Sequence, residues 1–389
     1  MRVLQRLLPS QAQTTGLVAV ILTFAWQSTT VHYNYGGNWT ALFCTGGEQR
    51  VPPLLTWERI HLFPGSRGYD GQFYHYQAHD PFLRKGLAQY VDAPRMRYRR
   101  MLVPTAAWLL AGGRDRYVDT ALFAVQWMFI FLGAYWVSRY IAPLGYHPVW
   151  GLCFLLVPAA LISIDRMTID LALAALSAGF ALYSRDGPPW KLWVVLACAA
   201  LARETGTLLL GGYCLYLISR RLWARAMLFS SAGLPLLIWM AILGNVMREV
   251  PATHGLPERT ALLPLFRTPQ YTRPEALAWA LTTLDYLVIT GILLAALLAV
   301  RNMLTRPSTA SGFAALMFAL LTVLLSAIFD LHDPYSYPRL VSPMLLLVAL
   351  QELPTRAWLG LLPAALLSAR VGVQLGTQVV GILRGLFDG

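Results

Sequence analysis

The sequence predicts an all-α, polytopic membrane protein of about eleven transmembrane helices, with a large first external loop carrying short interfacial helices. Three observations carry that prediction. The chain is 57% hydrophobic and only 13% charged, where soluble domains carry about a quarter charged residues. Apolar runs of about 15 to 22 residues recur along nearly its whole length, and about 20 helical residues cross a hydrocarbon core. Within those runs apolar residues do not alternate with polar ones, which argues against a β-barrel.

The apolar segments lie at 14–31, 117–138, 147–163, 167–184, 190–203, 204–219, 225–244, 283–300, 311–329, 338–352 and 356–378. The first, TTGLVAVILTFAWQSTTV, follows the basic MRVLQRLL and lacks a small-residue cleavage site, so it is expected to stay as a span. MLVPTAAWLLAGG (101–113) is too short and interrupted to cross and is expected to be interfacial or re-entrant. Counting it as a span would place SRRLWAR outside, against the positive-inside rule. With the N-terminus inside, the inner connections collect Arg2, Arg6, Arg139, Arg185, Lys191, Arg220, Arg221, Arg225, Arg301, Arg306 and Arg356. The outer side collects a first loop at 32–116, DRMTID at 165–170, ARET at 202–205, a second loop at 245–282 and DLHDPYSYPR at 330–339. With no internal repeat and no inverted pair of broken helices, 1–389 reads as a single membrane domain.

The net charge of +12 sits in short clusters between apolar runs, as topology requires, and no nucleic-acid-binding motif accompanies it. Cys153, Cys198 and Cys214 fall in apolar segments, Cys44 alone in a polar one, and no CxxC or Cys/His metal spacing exists.

The chemistry concentrates in GYDGQFYHYQAHDPF (68–82), which opens on Asp70 between Gly68 and Gly71. A short helix, QFYHYQAHD, is expected to follow and to close at Pro81. Asp70 reads either as its N-cap, accepting backbone N–H groups, or as a general base for a sugar hydroxyl. Phe73, Tyr76 and Gln77 share a face, with Tyr74 and His75 turned elsewhere. Such aromatics can equally form an interfacial belt. His75 and His79 are four apart, but no third ligand follows at a diagnostic spacing and HExxH is absent. No metal ligand is therefore assigned, and a divalent cation is left open as a cofactor. In PRMRYRRMLVP (94–104), Arg95, Arg97, Arg99 and Arg100 need compensation on the outer face, and a lipid phosphate or diphosphate suits guanidinium geometry. Plain headgroup binding is the alternative.

Ionisable residues also enter the spans. Asp165, Arg166 and Asp170 sit at an outer end, with Arg166 and Asp170 spaced as an i, i+4 pair, and Arg203 and Glu204 form a second paired insertion. DLHDPYSYPR adds Asp330, His332, Asp333, Tyr335, Tyr337 and Arg339, with Pro334 and Pro338 expected to prevent regular helix. Each pair can be purely structural, yet all three insertions fall on one side.

YDGQFYHYQAHDPF followed by RYRRMLVPTAAWLL resembles the first external loop of GT-C class membrane glycosyltransferases, in particular bacterial members related to the GPI-mannosyltransferase type. LARETGTLLL resembles a later segment of the same proteins, and the corner departs from the family at Tyr69-Asp70, where Trp-Asp is usual. The resemblance implies inverting transfer of a sugar from a polyprenyl-phosphate donor to a glycan or lipid acceptor. It places a multi-pass enzyme in a bacterial inner membrane, with a cytoplasmic N-terminus and an extracytoplasmic site. Asp70 becomes the expected catalytic base. Tyr69, Gln72, Tyr74, His75, Arg97, Arg99, Arg100, Asp165, Arg166, Arg203, Glu204, His332 and Arg339 become the expected substrate-binding set. A transporter or flippase for a lipid-linked glycan, or a non-catalytic assembly subunit for a cell-envelope glycan, are the competing readings. Membrane lipids are partners under all three.

Overall fold

A computed structural model describes residues 10–248, 271, 274–306, 308–325, 335–355 and 358–387. The described chain is all-α apart from one two-stranded pair. Helix α1 (Gln11–Tyr35) opens on a capping box, in which Ser10 accepts from the Gln13 N–H at 3.3 Å and Gln13 Oε1 accepts from the Ser10 N–H at 2.7 Å. It stops at Gly36, whose φ of 57° is left-handed. Two short parallel strands follow, β1 (Thr45–Gly46) and β2 (Leu62–Phe63). Helices α2 (Asp70–His79) and α3 (Leu102–Leu110) complete the first loop, with a helical turn at Pro94–Arg97 between them.

The bundle continues as α4 (Val118–Ile141), α5 (Pro158–Arg166), α6 (Asp170–Asp186), α7 (Pro189–Ala202) and α8 (Thr207–Ser219). After these come α9 (Trp223–Ser230), α10 (Leu234–Val246), α11 (Glu275–Thr305), α12 (Ala310–Leu325), α13 (Ser336–Glu352), α14 (Leu362–Gln374) and α15 (Gly376–Phe387). Among the described residues, each apolar segment expected to span is largely helical. Four helical stretches are long and apolar enough to cross a membrane: Gln11–Tyr35, Asp115–Leu144, Trp223–Val246 and Glu275–Thr305. The number rises to six if two bent pairs each count as a span. One pair is Pro148–Leu156 with α5, bent by 64° ahead of Pro158, so the stretch at 147–163 is a broken rod. The other is Trp358–Gln374 with α15, bent by 46°. Segment 101–113 forms only the nine-residue α3, about 14 Å long at 1.5 Å per residue and too short to cross. Pro338 does not block helix as expected. It occupies the first turn of α13, where no intrahelical N–H is needed.

Packing is inverted relative to a soluble bundle. Helix α1 buries Thr15, Gly16, Ala19, Thr23, Gln27 and Thr30 and turns Leu17, Ile21, Leu22 and Phe24 outward. An apolar exterior around small and polar contacts is how helices associate when the solvent is lipid. Gln27 links three elements, donating to the Ile164 carbonyl and accepting from the Trp127 indole, each at 2.9 Å. Gly212 lets α8 touch α12, since a Cβ there would lie 2.6 Å from the Ala314 backbone. The first loop has its own core of Leu55, Phe73, Tyr76, Val91 and Tyr98, closed against Trp239, Leu243 and Met247. Trp239 donates to the Tyr98 carbonyl at 2.6 Å.

Between α11 and α14, Asp285 and Arg370 pair at 2.7 Å with side-chain exposures of 0% and 1%, and the Tyr271 hydroxyl bonds to both. Removing one member strands the other charge, which costs about 3–5 kcal/mol, whereas an apolar double replacement is close to neutral. Arg370→Leu is therefore expected to lower thermal stability in detergent sharply, and Asp285→Leu/Arg370→Leu to recover most of it. A single variant as stable as the parent chain would contradict a closed pair.

Candidate functional site

Helix α2 is held by its surroundings more than by its own propensity, and Gly71 to His79 are all buried. Gly68 takes a left-handed φ of 75° and admits no side chain, since a Cβ would lie 2.4 Å from the Gly46 nitrogen. At Gly71 a Cβ would lie 2.3 Å from the Arg166 carbonyl, so the first turn of α2 is wedged against the end of α5. Gln72 accepts from the Gly46 N–H at 3.1 Å and donates to the Arg67 carbonyl at 2.9 Å, which pins the loop and makes it a positioning residue. Asp80 closes the far end by accepting from the backbone of Arg84, Lys85 and Leu87 at 2.6, 2.9 and 3.2 Å.

The N-cap expectation for Asp70 is corrected. Tyr69 holds the cap position, with no side-chain capping bond, and Asp70 is the first helical residue. Its carboxylate turns to two arginines instead: Oδ1 accepts from Arg97 Nη2 at 2.8 Å, and Oδ2 lies 2.5 Å from Arg339 Nη2. Arg97 also donates to Asp92 and lies over the Phe73 and Tyr74 rings at 4.4 and 5.4 Å. Arg339 continues to Asp170 at 3.4 Å, and Asp170 pairs with Arg203. Arg100 donates to both oxygens of Glu204 at 2.8 and 2.5 Å and to the Tyr74 hydroxyl at 2.9 Å. Arg166 pairs with Asp165 at 3.1 Å and lies over Tyr69 and Tyr335, while Arg339 lies over the same Tyr69 ring at 5.0 Å.

Most of the expected residues therefore meet, but the pairing differs. Arg166 does not neutralise Asp170, and Arg203 and Glu204 bond to partners on other elements. Helical spacing describes what touches along a surface, whereas buried charges take the counter-charge that arrives through space. Arg97 and Arg100 already have carboxylate partners, so lipid phosphate is not needed to compensate them. Arg99 is exposed, and its side chain has no hydrogen bond or ion pair among the described residues. Tyr74 and its neighbouring aromatics are buried in protein, not displayed as an interfacial belt. His332 lies outside the described residues. Asp92 and Asp170 join the network without having been assigned to the site from sequence; Asp170 was visible as a charge at a span end.

Exposure distinguishes the members. Arg97 and Arg339 side chains are 5% and 8% exposed, Asp170 3%, and Asp70 18%. Asp70 is thus partly exposed between two buried guanidinium groups, while Asp92 and Glu204, at 46% and 37%, are the most open carboxylates of the network. Burial pushes the Asp70 carboxyl up, but Arg339, Arg97 and Arg100 more than offset it and hold it well below the ordinary carboxylate range.

His75 lies about 140° around the helix from Asp70, with its ring stacked on Phe43 at 4.1 Å. Together with His79 it faces Glu58, at the end of the Pro53–Glu58 turn, and Asp119, in the first turn of α4. One ligand atom from each of the four lies within 4.8 Å of the others, the one such group among the described residues that could hold a metal. Burial opposes protonation of His75, but Asp119 and Glu58 raise its pKa to about 9, so this pocket attracts positive charge. The missing third and fourth ligands of the histidine pair come from residues the fold delivers, which no local spacing could announce.

No protein-family model, curated protein or solved structure matches the chain.

A carboxyl titrating below its unfolded value of about 3.9 contributes stability that is complete above that pH and fades as pH falls towards the folded value. Asp70→Asn is expected to lower the melting temperature at pH 7 and the gap from the parent to narrow below about pH 4. A gap that is constant across that range would contradict the ion pairs to Arg97 and Arg339.

Proposed function

We propose that the chain is a GT-C-type membrane glycosyltransferase, moving a sugar from a polyprenyl-phosphate donor to an acceptor hydroxyl on the extracytoplasmic face. Asp70 serves as its general base. The observation that supports this best is a partly open carboxylate at the start of a buried helix, with a buried guanidinium on each of its oxygens. Under this reading the chain crosses the membrane eleven times, and the C-terminal ends of α5 and α7 and the N-terminal ends of α6 and α13 face outward around Asp70. The opposite ends of α4 and α6 border a cavity of about 500 Å³ lined by Tyr140, Arg185, Arg306 and Gln351, on the side where the positive-inside rule puts its arginines.

The chemistry follows from the charges. An acceptor hydroxyl bonded to Asp70 gives up its proton as its oxygen attacks the anomeric carbon, and the lipid phosphate leaves from the other face with inversion. Arg97 and Arg339 are fixed in place before negative charge grows on the leaving oxygen, so they stabilise it without reorganising. A carboxylate clamped by two guanidiniums is a weak base. A donor phosphate that shares one of these guanidiniums where it stands weakens the clamp and raises the proton affinity of Asp70 when substrate is present. Under a transporter reading, charge belongs in the middle of spans, yet nearly all of it here sits at span ends, and the Asp285–Arg370 pair is buried and mutually neutralised.

Purified protein incubated with a panel of polyprenyl-phosphate sugars and an acceptor is expected to release lipid phosphate with at least one donor. Asp70→Asn is expected to lower turnover about 10²–10⁴-fold while remaining monodisperse in detergent. Undiminished transfer by Asp70→Asn would sink the assignment of the base, and no release with any donor would sink the enzyme.

A further inference from the structure

We propose that Glu58, His75, His79 and Asp119 form a closed, structural site for a divalent transition metal, best suited to zinc, that clamps the first loop onto α4. One ligand atom from each residue lies within 4.8 Å of the others, and the closest nitrogen–oxygen separations approach those of ligands around an ion, with Glu58 turning one oxygen to each imidazole. His75 Nε2 lies 3.1 Å from Glu58 Oε2 and 2.8 Å from Asp119 Oδ1. His79 Nε2 lies 3.1 Å from Glu58 Oε1 and 3.4 Å from the same Asp119 oxygen. Ligand atoms at zinc bond lengths of about 2.0–2.1 Å on a tetrahedron are about 3.3–3.4 Å apart.

Proton accounting supplies an independent argument. His79 Nδ1 lies 3.1 Å from Asp115 Oδ1, and Asp115 also accepts from Lys85 Nζ at 2.6 Å. A carboxylate only accepts, so Nδ1 carries a proton, and in a neutral ring Nε2 then presents its lone pair to the centre. A carboxylate orienting the far nitrogen of a metal-bound histidine is the usual second layer of such a site. Glu58 has a side chain only 3% exposed, and each of its oxygens faces an imidazole nitrogen at 3.1 Å. A cation between these groups satisfies both carboxylates and both lone pairs, and two carboxylates neutralise a divalent charge. Two nitrogens and two oxygens suit zinc better than calcium or magnesium, which favour oxygen alone. Four protein ligands leave no open position, which makes the site structural.

Metal analysis of the full chain, purified without a polyhistidine tag, is expected to find close to one equivalent of zinc. Stripping with a chelator lowers the melting temperature, and added Zn²⁺ restores it where Mg²⁺ does not. X-ray absorption at the zinc edge shows nitrogen and oxygen neighbours at about 2.0 Å and no sulfur. His79→Gln loses the metal, and Asp115→Asn keeps the fold but binds it about 10–100-fold more weakly. If His79→Gln fails to insert, stripping and refilling the parent chain still decides. Protein that purifies metal-free and gains no melting temperature from Zn²⁺ overturns the site, leaving a proton-held cluster of imidazolium and carboxylate. Zinc retained undiminished by His79→Gln overturns it as well.

Discussion

Asp70 standing between Arg97 and Arg339 is the interaction on which this end of the molecule depends. It is the point where three separate pieces of chain meet: the start of α2, the Pro94–Arg97 turn and the first turn of α13. From it the charges run through Asp92 on one side and through Asp170 to Arg203 on the other, while Arg100 and Glu204 join through Tyr74. Five carboxylates (Asp70, Asp92, Asp165, Asp170, Glu204) face five arginines (97, 100, 166, 203, 339), so the cluster is balanced as a set and unbalanced by any single loss. Buried ion pairs add little net stability over apolar packing of the same volume. Ten ionisable side chains gathered where apolar packing would hold as well are what the proposed transfer would draw on.

The packing explains how those groups come together. Helices that associate through glycine, alanine, threonine and Gln27 approach closely and lie in defined registers. Their ends are then fixed in space, and charges that cannot enter hydrocarbon collect there. Asp165 and Arg166 end α5, Asp170 begins α6, Arg203 follows α7 and Arg339 sits in the first turn of α13. The first loop caps this end through a core of its own, closed on α10 by Trp239.

Much of this was legible from residue order, for a physical reason. Hydrophobic length marks helices strongly, so among the described residues the apolar segments are largely helix, and charge cannot be placed at random in such a chain, so Asp70, Arg97, Arg203, Glu204 and Arg339 could be grouped before their contacts were known. What sequence could not supply was partnership. Arg166 to Asp170 has helical spacing, but Met167 takes a left-handed φ of 47° that ends α5, and Asp170 turns to Arg203 and Arg339. Asp285 and Arg370 sit 85 residues apart and announce nothing until α11 and α14 are side by side. The histidine pair was visible at i, i+4, but Glu58 and Asp119 reach it from opposite directions along the chain, and only the folded loop shows that they share a centre.

Helix α2 therefore carries two kinds of chemistry on two faces. Asp70 and Tyr74, with the Phe73 ring, meet the arginines; His75 and His79 meet Glu58 and Asp119. The base proposed at Asp70 would have to be placed to within about half an ångström to be useful, and a ten-residue helix has little stability of its own to hold it there. Gly71 against the Arg166 carbonyl fixes how deeply the helix sits, and Gln72 fixes its start to β1. Both contacts act on the first turn of the helix. Two histidines one turn apart, engaged from the side by Glu58 and by Asp119 in the first turn of α4, hold its middle and its end, and any ion they hold would make it stiffer. On this argument the polar groups of the far face are support for the near one: they set the angle at which Asp70 is presented.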